Sequence, residues 1–177
     1  MVFGQLFTIA TFPGVILHEL AHKLACEKTG LRVSQVCYFR LGNPAGYVIH
    51  EQPRKFSQAF LITVAPFLLN TALAIIMYII ALLTPAPLQY LFFWLGISFA
   101  SHAFPSRGDA KSLYHFTKRT WKSNPVTLLA IPVILLIYIG SILSIFWFDL
   151  LYALTLIPVT AKFLGVSVPA WAPDYIR

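Results

Sequence analysis

Val15-Ile16-Leu17-His18-Glu19-Leu20-Ala21-His22-Lys23-Leu24 places two histidines and a glutamate inside an otherwise apolar run. At roughly 100° per residue, positions four apart return to one face of a helix, so both imidazoles project the same way with Glu19 beside them. Two imidazoles one turn apart suit a single metal ion. The adjacent carboxylate can take a proton from water, which is the division of labour an HExxH sequence supplies. An acid within an apolar helix costs roughly 2.5 to 3.5 kcal/mol on insertion scales, so an ionisable group there is a functional candidate.

The surroundings of this stretch set the class. Of 177 residues, 58% are hydrophobic and 11% charged, and the mean hydropathy is +0.75. No Asp, Glu, Lys or Arg precedes Glu19, and none lies between Lys55 and Arg107 or between Lys122 and Asp149. Such gaps accommodate spanning helices of about 20 apolar residues. The reading is an all-α, multi-pass transmembrane bundle of four to five spans. A small soluble enzyme, a disulfide-rich secreted module and a disordered tail are excluded. Cys26 and Cys37 form no CxxC and read as reduced thiols. The N-terminal apolar segment lacks a basic n-region and a cleavage site, so it is expected to remain as a helix.

Helix one is expected from Val2 to Lys28, with Thr29-Gly30 as its stop. The glycine- and proline-containing residues 30 to 56 read as a loop with hairpin character, its β-prone runs being Val33 to Phe39 and Tyr47 to Ile49. Helix two is expected over Ser57 to Leu83 and helix three over Leu88 to Phe104. A polar, basic loop then runs from Ser106 to Asn124, followed by helix four over Pro125 to Phe148 and an ambiguous segment, 149 to 164, that is either a fifth span or re-entrant. The whole is one domain, with a core of residues 1–112, added helices over 125–164 and a tail over 165–177.

Eleven of the thirteen basic residues fall on one side, in the first and third loops and, as Lys23 and Lys28, at the end of helix one that leads into the first; two crossings separate these loops, so both lie on one face. The positive-inside rule makes that face cytoplasmic, with the N-terminus outside and the motif toward the cytoplasmic side, in what is expected to be the cell membrane. This placement also accounts for the net charge of +7 without nucleic acid as a partner. The bilayer is the expected surrounding, and no sequence feature fixes an oligomeric state.

A catalytic zinc normally takes three protein ligands. Glu27 points about 140° away from His22, and Asp149 is expected on the opposite face of the membrane. Asp109, just beyond helix three, is the best candidate, because Pro105-Ser106-Arg107-Gly108 breaks the helix and lets its carboxylate turn back. His102 on helix three is the rival ligand, and otherwise a second-sphere group or oxyanion stabiliser. Asn70 on helix two is polar in lipid and is expected to face the bundle, where it is, with His102, a candidate second-sphere group or oxyanion stabiliser, interhelical bonding being its plain explanation.

These residues resemble the site-2 protease family of intramembrane zinc metalloproteases. In that family an HExxH on one membrane helix and an aspartate near the end of a helix two spans later hold one zinc, matched here by His18, Glu19, His22 and Asp109. Gly42 to Val48 resembles the family's glycine-containing β-segment, and Ala65-Pro66 with Asn70 resembles its proline and asparagine pattern. The similarity covers roughly residues 10 to 112, as a minimal core without a PDZ or CBS domain. It departs at Arg107-Gly108-Asp109-Ala110, where the family has Leu-Asp-Gly, and at Ser101-His102, where an asparagine is usual. The resemblance implies a peptide-cleaving enzyme in which Zn²⁺, one per chain, is held by His18, His22 and Asp109 and Glu19 moves the proton. The substrate would be a membrane protein or peptide. An unwound substrate could pair as a strand with the edge carrying Gly46, Tyr47 and Val48. A non-proteolytic membrane protein with a structural metal site that binds partner helices is the alternative. An ion transporter ranks third for want of an inverted repeat.

Overall fold

The computed structural model describes residues 2–168. They form α1 (Val2–Ala10), α2 (Phe12–Lys28), β1 (Val33–Cys37), β2 (Tyr47–His50), α3 (Phe56–Leu83), α4 (Leu88–Ser101), α5 (Arg107–Thr120), α6 (Ala130–Leu143) and α7 (Phe148–Leu164). Short 3-10 segments occupy Pro125–Leu129 and Ser144–Phe146. The protein is thus mostly helical with one small hairpin. Phe56–Leu83 and Pro125–Leu143 are long and apolar enough to cross a membrane. Of the expected tail, residues 169–177 lie outside the described residues.

α3 is the axis of the bundle. Near its start, Ala59 packs with Leu113 and Phe116 of α5 and with Ala130 and Ile134 of α6. One turn on, Ile62 meets Ala25 and Cys26 of α2 and Leu31. Its second half buries Ala74, Tyr78 and Ala81 against Phe93 and Ala100 of α4 and Ala153 and Ile157 of α7. The chain therefore descends past α3 in two helices, α4 then α5, and climbs back in two more, α6 then α7. Both breaks fall at one level. Phe104, in the first break, packs on Phe67 of α3 (5.6 Å between ring centroids), Phe148 (5.4 Å) and Tyr152 (4.9 Å) of α7, and Arg107 Nη2 donates to the carbonyl of Ser141 (3.1 Å).

Several expected boundaries change. Helix one is interrupted at Thr11, because Pro13 has no N–H to return to Ile9 and the Thr11 hydroxyl donates to Phe7 O (2.7 Å). Helix three ends at Ser101 rather than Phe104. The segment read as a polar loop, Ser106 to Asn124, is largely α5. Ser106 caps it, and buried Ala110, Leu113 and Phe116 give it an apolar face while Lys111, Lys118 and Arg119 stay exposed. Helix four is α6 flanked by 3-10 segments, and left-handed Trp147 (φ 62°) separates it from α7, which occupies the ambiguous segment.

β1 and β2 pair antiparallel, Cys37 opposite Tyr47 and Val36 opposite Val48. Arg40 N–H donates to Ala45 O (2.7 Å) and Glu51 N–H to Arg32 O (2.9 Å). By the two-residue period of a strand, the backbone of 45, 47, 49 and 51 faces β1, and that of Gly46, Val48 and His50 faces outward.

Candidate metal centre

α2 enters the bundle through a glycine. A Cβ at Gly14 would collide with the backbone of Ser98, so only glycine lets α2 lie this close on α4. The contact is polar: Gly14 N–H donates to Ser98 Oγ (2.9 Å), which donates to Thr11 O (2.8 Å). One turn further along the same face come His18 and His22.

Each imidazole is oriented by a carbonyl that a helix interruption sets free. Pro66 sits inside α3 and has no N–H for the carbonyl of Ile62, four residues earlier. His22 Nδ1 donates to that carbonyl instead (3.0 Å). α4 stops at Ser101, and the N–H of Ser106, which a continuing helix would give to His102 O, goes to Asp109 Oδ2 (2.7 Å). His102 O receives His18 Nδ1 (2.8 Å) and Asn70 Nδ2 (3.0 Å). Carbonyl oxygens only accept, so both Nδ1 atoms carry the proton and both Nε2 atoms present lone pairs.

Those two Nε2 atoms lie 3.2 Å apart, and Asp109 Oδ1 lies 3.3 Å from that of His22. The three ligand atoms fall within 4.8 Å of one another. Facing lone pairs beside a carboxylate repel unless a cation joins them. Tetrahedral zinc, with bonds of about 2.0 to 2.2 Å, sets its ligand atoms about 3.3 Å apart. The residues present therefore fit a metal ion with three protein ligands. Asp109 is fixed from its own helix: Ser106 N–H and Oγ–H (2.6 Å) both donate to Oδ2, leaving Oδ1 turned to His22. The two hydrogen bonds from Ser106 favour the ionised form of this carboxyl group.

Glu19 is buried beside the ligands and abuts Gly46, where a Cβ would come within 2.9 Å of Glu19 Oε1. It lines a cavity of about 1040 Å³ together with all three ligands. β2 contributes to this cavity and β1 does not, so the outward edge bearing Gly46 and Val48 faces it, with Tyr47 also on its wall.

His102 is not among the converging groups. Thr11 Oγ1 spends its proton on Phe7 O, so His102 Nε2 must donate to Thr11 Oγ1 (2.8 Å); the neutral ring then offers no N–H to an oxyanion, and residue 102 serves the site through its carbonyl. Asn70 Nδ2 also reaches Gly14 O (3.1 Å) and Phe99 O (3.2 Å), joining α2, α3 and α4 behind His18. Asp149, expected on the far face of the membrane, lines the same cavity as Asp109, because α6 stops short and the 144–147 break returns the chain to this level. Sequence reasoning did not assign Pro66 its role. The available signal was a proline inside an apolar helix one turn before a buried polar residue.

A family model described as "Putative zincin peptidase" (DUF3267) matches residues 11–104, more than half of the chain and the segment that carries His18, Glu19, His22, Pro66 and Asn70. No curated protein and no solved structure matches the chain.

Proposed function

The chain belongs to this zincin peptidase family, which implies zinc and peptidase chemistry, and on that premise we propose that it is an intramembrane zinc metalloprotease of the site-2 type, hydrolysing peptide bonds of transmembrane proteins within or near the bilayer. The observation that carries the reading is the convergence of His18, His22 and Asp109 beside buried Glu19, inside a bundle with two helices long enough to span. Among the described residues three protein ligands converge, which is the number a catalytic zinc site takes, whereas structural sites are usually closed by four. This speaks against the structural-metal alternative. The bundle crosses the membrane four to five times, with residues 1–112 as its core. The concentration of basic residues puts the site toward the cytoplasm and the N-terminus outside.

His18, His22 and Asp109 hold the ion, which when bound lowers the pKa of water toward neutrality and polarises a carbonyl. Glu19 takes a proton from the attacking water and returns it to the departing amine nitrogen, its position fixed by the close approach of Gly46. A helical substrate hides its carbonyls in its own hydrogen bonds, so it must unwind before cleavage. The extended segment then pairs with the outward edge of β2 through Gly46, Val48 and His50.

Purified protein in detergent or liposomes should cleave a transmembrane reporter, and Glu19→Gln should lower turnover by about 10²- to 10⁴-fold with zinc content unchanged. A Glu19→Gln protein of undiminished turnover would remove the proposed mechanism. Val48→Pro deletes an outward donor and should lower turnover, whereas Tyr47→Phe leaves the backbone edge intact and should not.

A further inference from the structure

Asp149 is the carboxylate of this cavity that the mechanism leaves unused. It stands in the first turn of α7, and its Oδ1 is a buried oxygen with no hydrogen-bond partner among the described residues. No lysine, arginine or histidine among them pairs with it. Ser144 is the hydrogen-bonding neighbour of the carboxyl group, but its hydroxyl also donates to Gly140 O (3.0 Å) and leaves Oδ1 unpaired, and Arg107, on the same wall, is engaged by Ser141 O. A half-buried carboxylate with one buried, unpaired oxygen and no counter-ion is costly, above all in a membrane protein, and persists where something outside the chain completes it.

We propose that Asp149 is a specificity-determining residue: it forms a subsite of the cavity that takes a cationic nitrogen of the peptide substrate, namely a lysine or arginine side chain close to the scissile bond. The inference rests on the peptidase reading and deepens it. The groups lining the cavity make the subsite selective. Glu19 and Asp109 are committed to proton transfer and to the ion, so Asp149 is the remaining carboxylate on a wall it shares with Ser141, Ser144, α1 residues such as Gln5 and Thr8, and Arg107, whose guanidinium is held by Ser141 O. An apolar side chain entering there would leave the carboxylate as uncompensated as before, whereas an ammonium or guanidinium gains a charge-assisted bond.

The test uses zinc-loaded Glu19→Gln protein in detergent and N-acetylated decapeptides of alanine and leucine in which one lysine is walked along the chain, beside matched norleucine peptides. Binding is read by fluorescence anisotropy. At one or two positions lysine should bind about tenfold or more tighter than norleucine. Asp149→Asn should reduce that preference to under about twofold while the norleucine peptides bind as before, and Asp149→Glu should retain part of it. A gain confined to unacetylated peptides would identify the bound nitrogen as the α-amine and overturn the side-chain subsite. Absence of binding, absence of preference, or a preference that survives Asp149→Asn overturns the proposal outright. Asp149→Ser replaces Asp149→Asn should the amide variant not fold. If wild type binds these peptides and cleaves none, the peptidase reading fails while the binding preference still decides the subsite.

Discussion

The two halves of α3 contrast in what they hold together. From Phe56 to Asn70 the helix is imperfect: Pro66 deletes one of its hydrogen bonds, and Asn70 spends its amide on carbonyls of α2 and α4. From Thr71 to Leu83 it is regular and its buried face is small and apolar, with Ala74, Ala81 and Tyr78 packed on α4 and α7. The first half gives up backbone bonding to orient the His22 ring. The second half gives up nothing and supplies packing. Substitutions on the site side should therefore move metal affinity more than folding stability, and those on the scaffold side the reverse.

The hardest break of this contrast comes from across the cavity. Asp109→Ala removes a ligand and the carboxylate that answers Ser106, so zinc affinity should fall by more than the roughly 10- to 100-fold typical of an orienting group. Apo-protein stability should drop by only about 0.5 to 2 kcal/mol, the worth of a helix cap. Zinc per chain by mass spectrometry after dialysis against a weak chelator, with thermal unfolding of the apo form in detergent, separates the two. Zinc retained near one per chain would place the third ligand elsewhere.

Pro66→Ala sharpens the contrast, because its two readouts should move in opposite directions. Alanine restores an N–H to the carbonyl of Ile62, which then bonds within α3 and no longer claims the proton of His22 Nδ1. The His22 ring loses its fixed tautomer, and zinc affinity should fall about 10- to 100-fold. Apo-protein stability should hold or rise, since an interior helical proline costs about 3 kcal/mol. A variant that loses stability and keeps its zinc would reduce Pro66 to a packing residue.

This asymmetry also marks what could be read from sequence. His18, Glu19 and His22 were legible because helical periodicity alone brings them together, and Asp109 because a helix break next to an acid points back toward the bundle. The orienting carbonyls were not, since which oxygen a ring in α2 meets on α3 depends on a helix crossing that no local pattern encodes. α5 was missed because its charged face outweighs Ala110, Leu113 and Phe116 in any average, although Ser106 and Asp109 stand at capping-box spacing. Asp149 was placed on the wrong side for a related reason. Counting 125–148 as one uninterrupted crossing carries the chain to the opposite face, whereas the break at 144–147 keeps it level with Asp109.

The smallest effect belongs to the scaffold half. Tyr78 is fully buried and its hydroxyl donates to Ala153 O (2.9 Å), the one polar tie between this half of α3 and α7 apart from Thr71 with Tyr152 (2.8 Å) among the described residues. Tyr78→Phe keeps the ring against Phe93 and removes only the donor, so stability should fall by about 0.5 to 1.5 kcal/mol. Zinc affinity and turnover should stay within about twofold of wild type, because no step in the chain from Pro66 to His22 or from Asn70 to His18 passes through α7. Thermal unfolding beside zinc competition in one detergent measures both. A drop in zinc affinity equal to that of Pro66→Ala would mean that the two halves act as one unit, with the packing of α7 setting the position of the ligands.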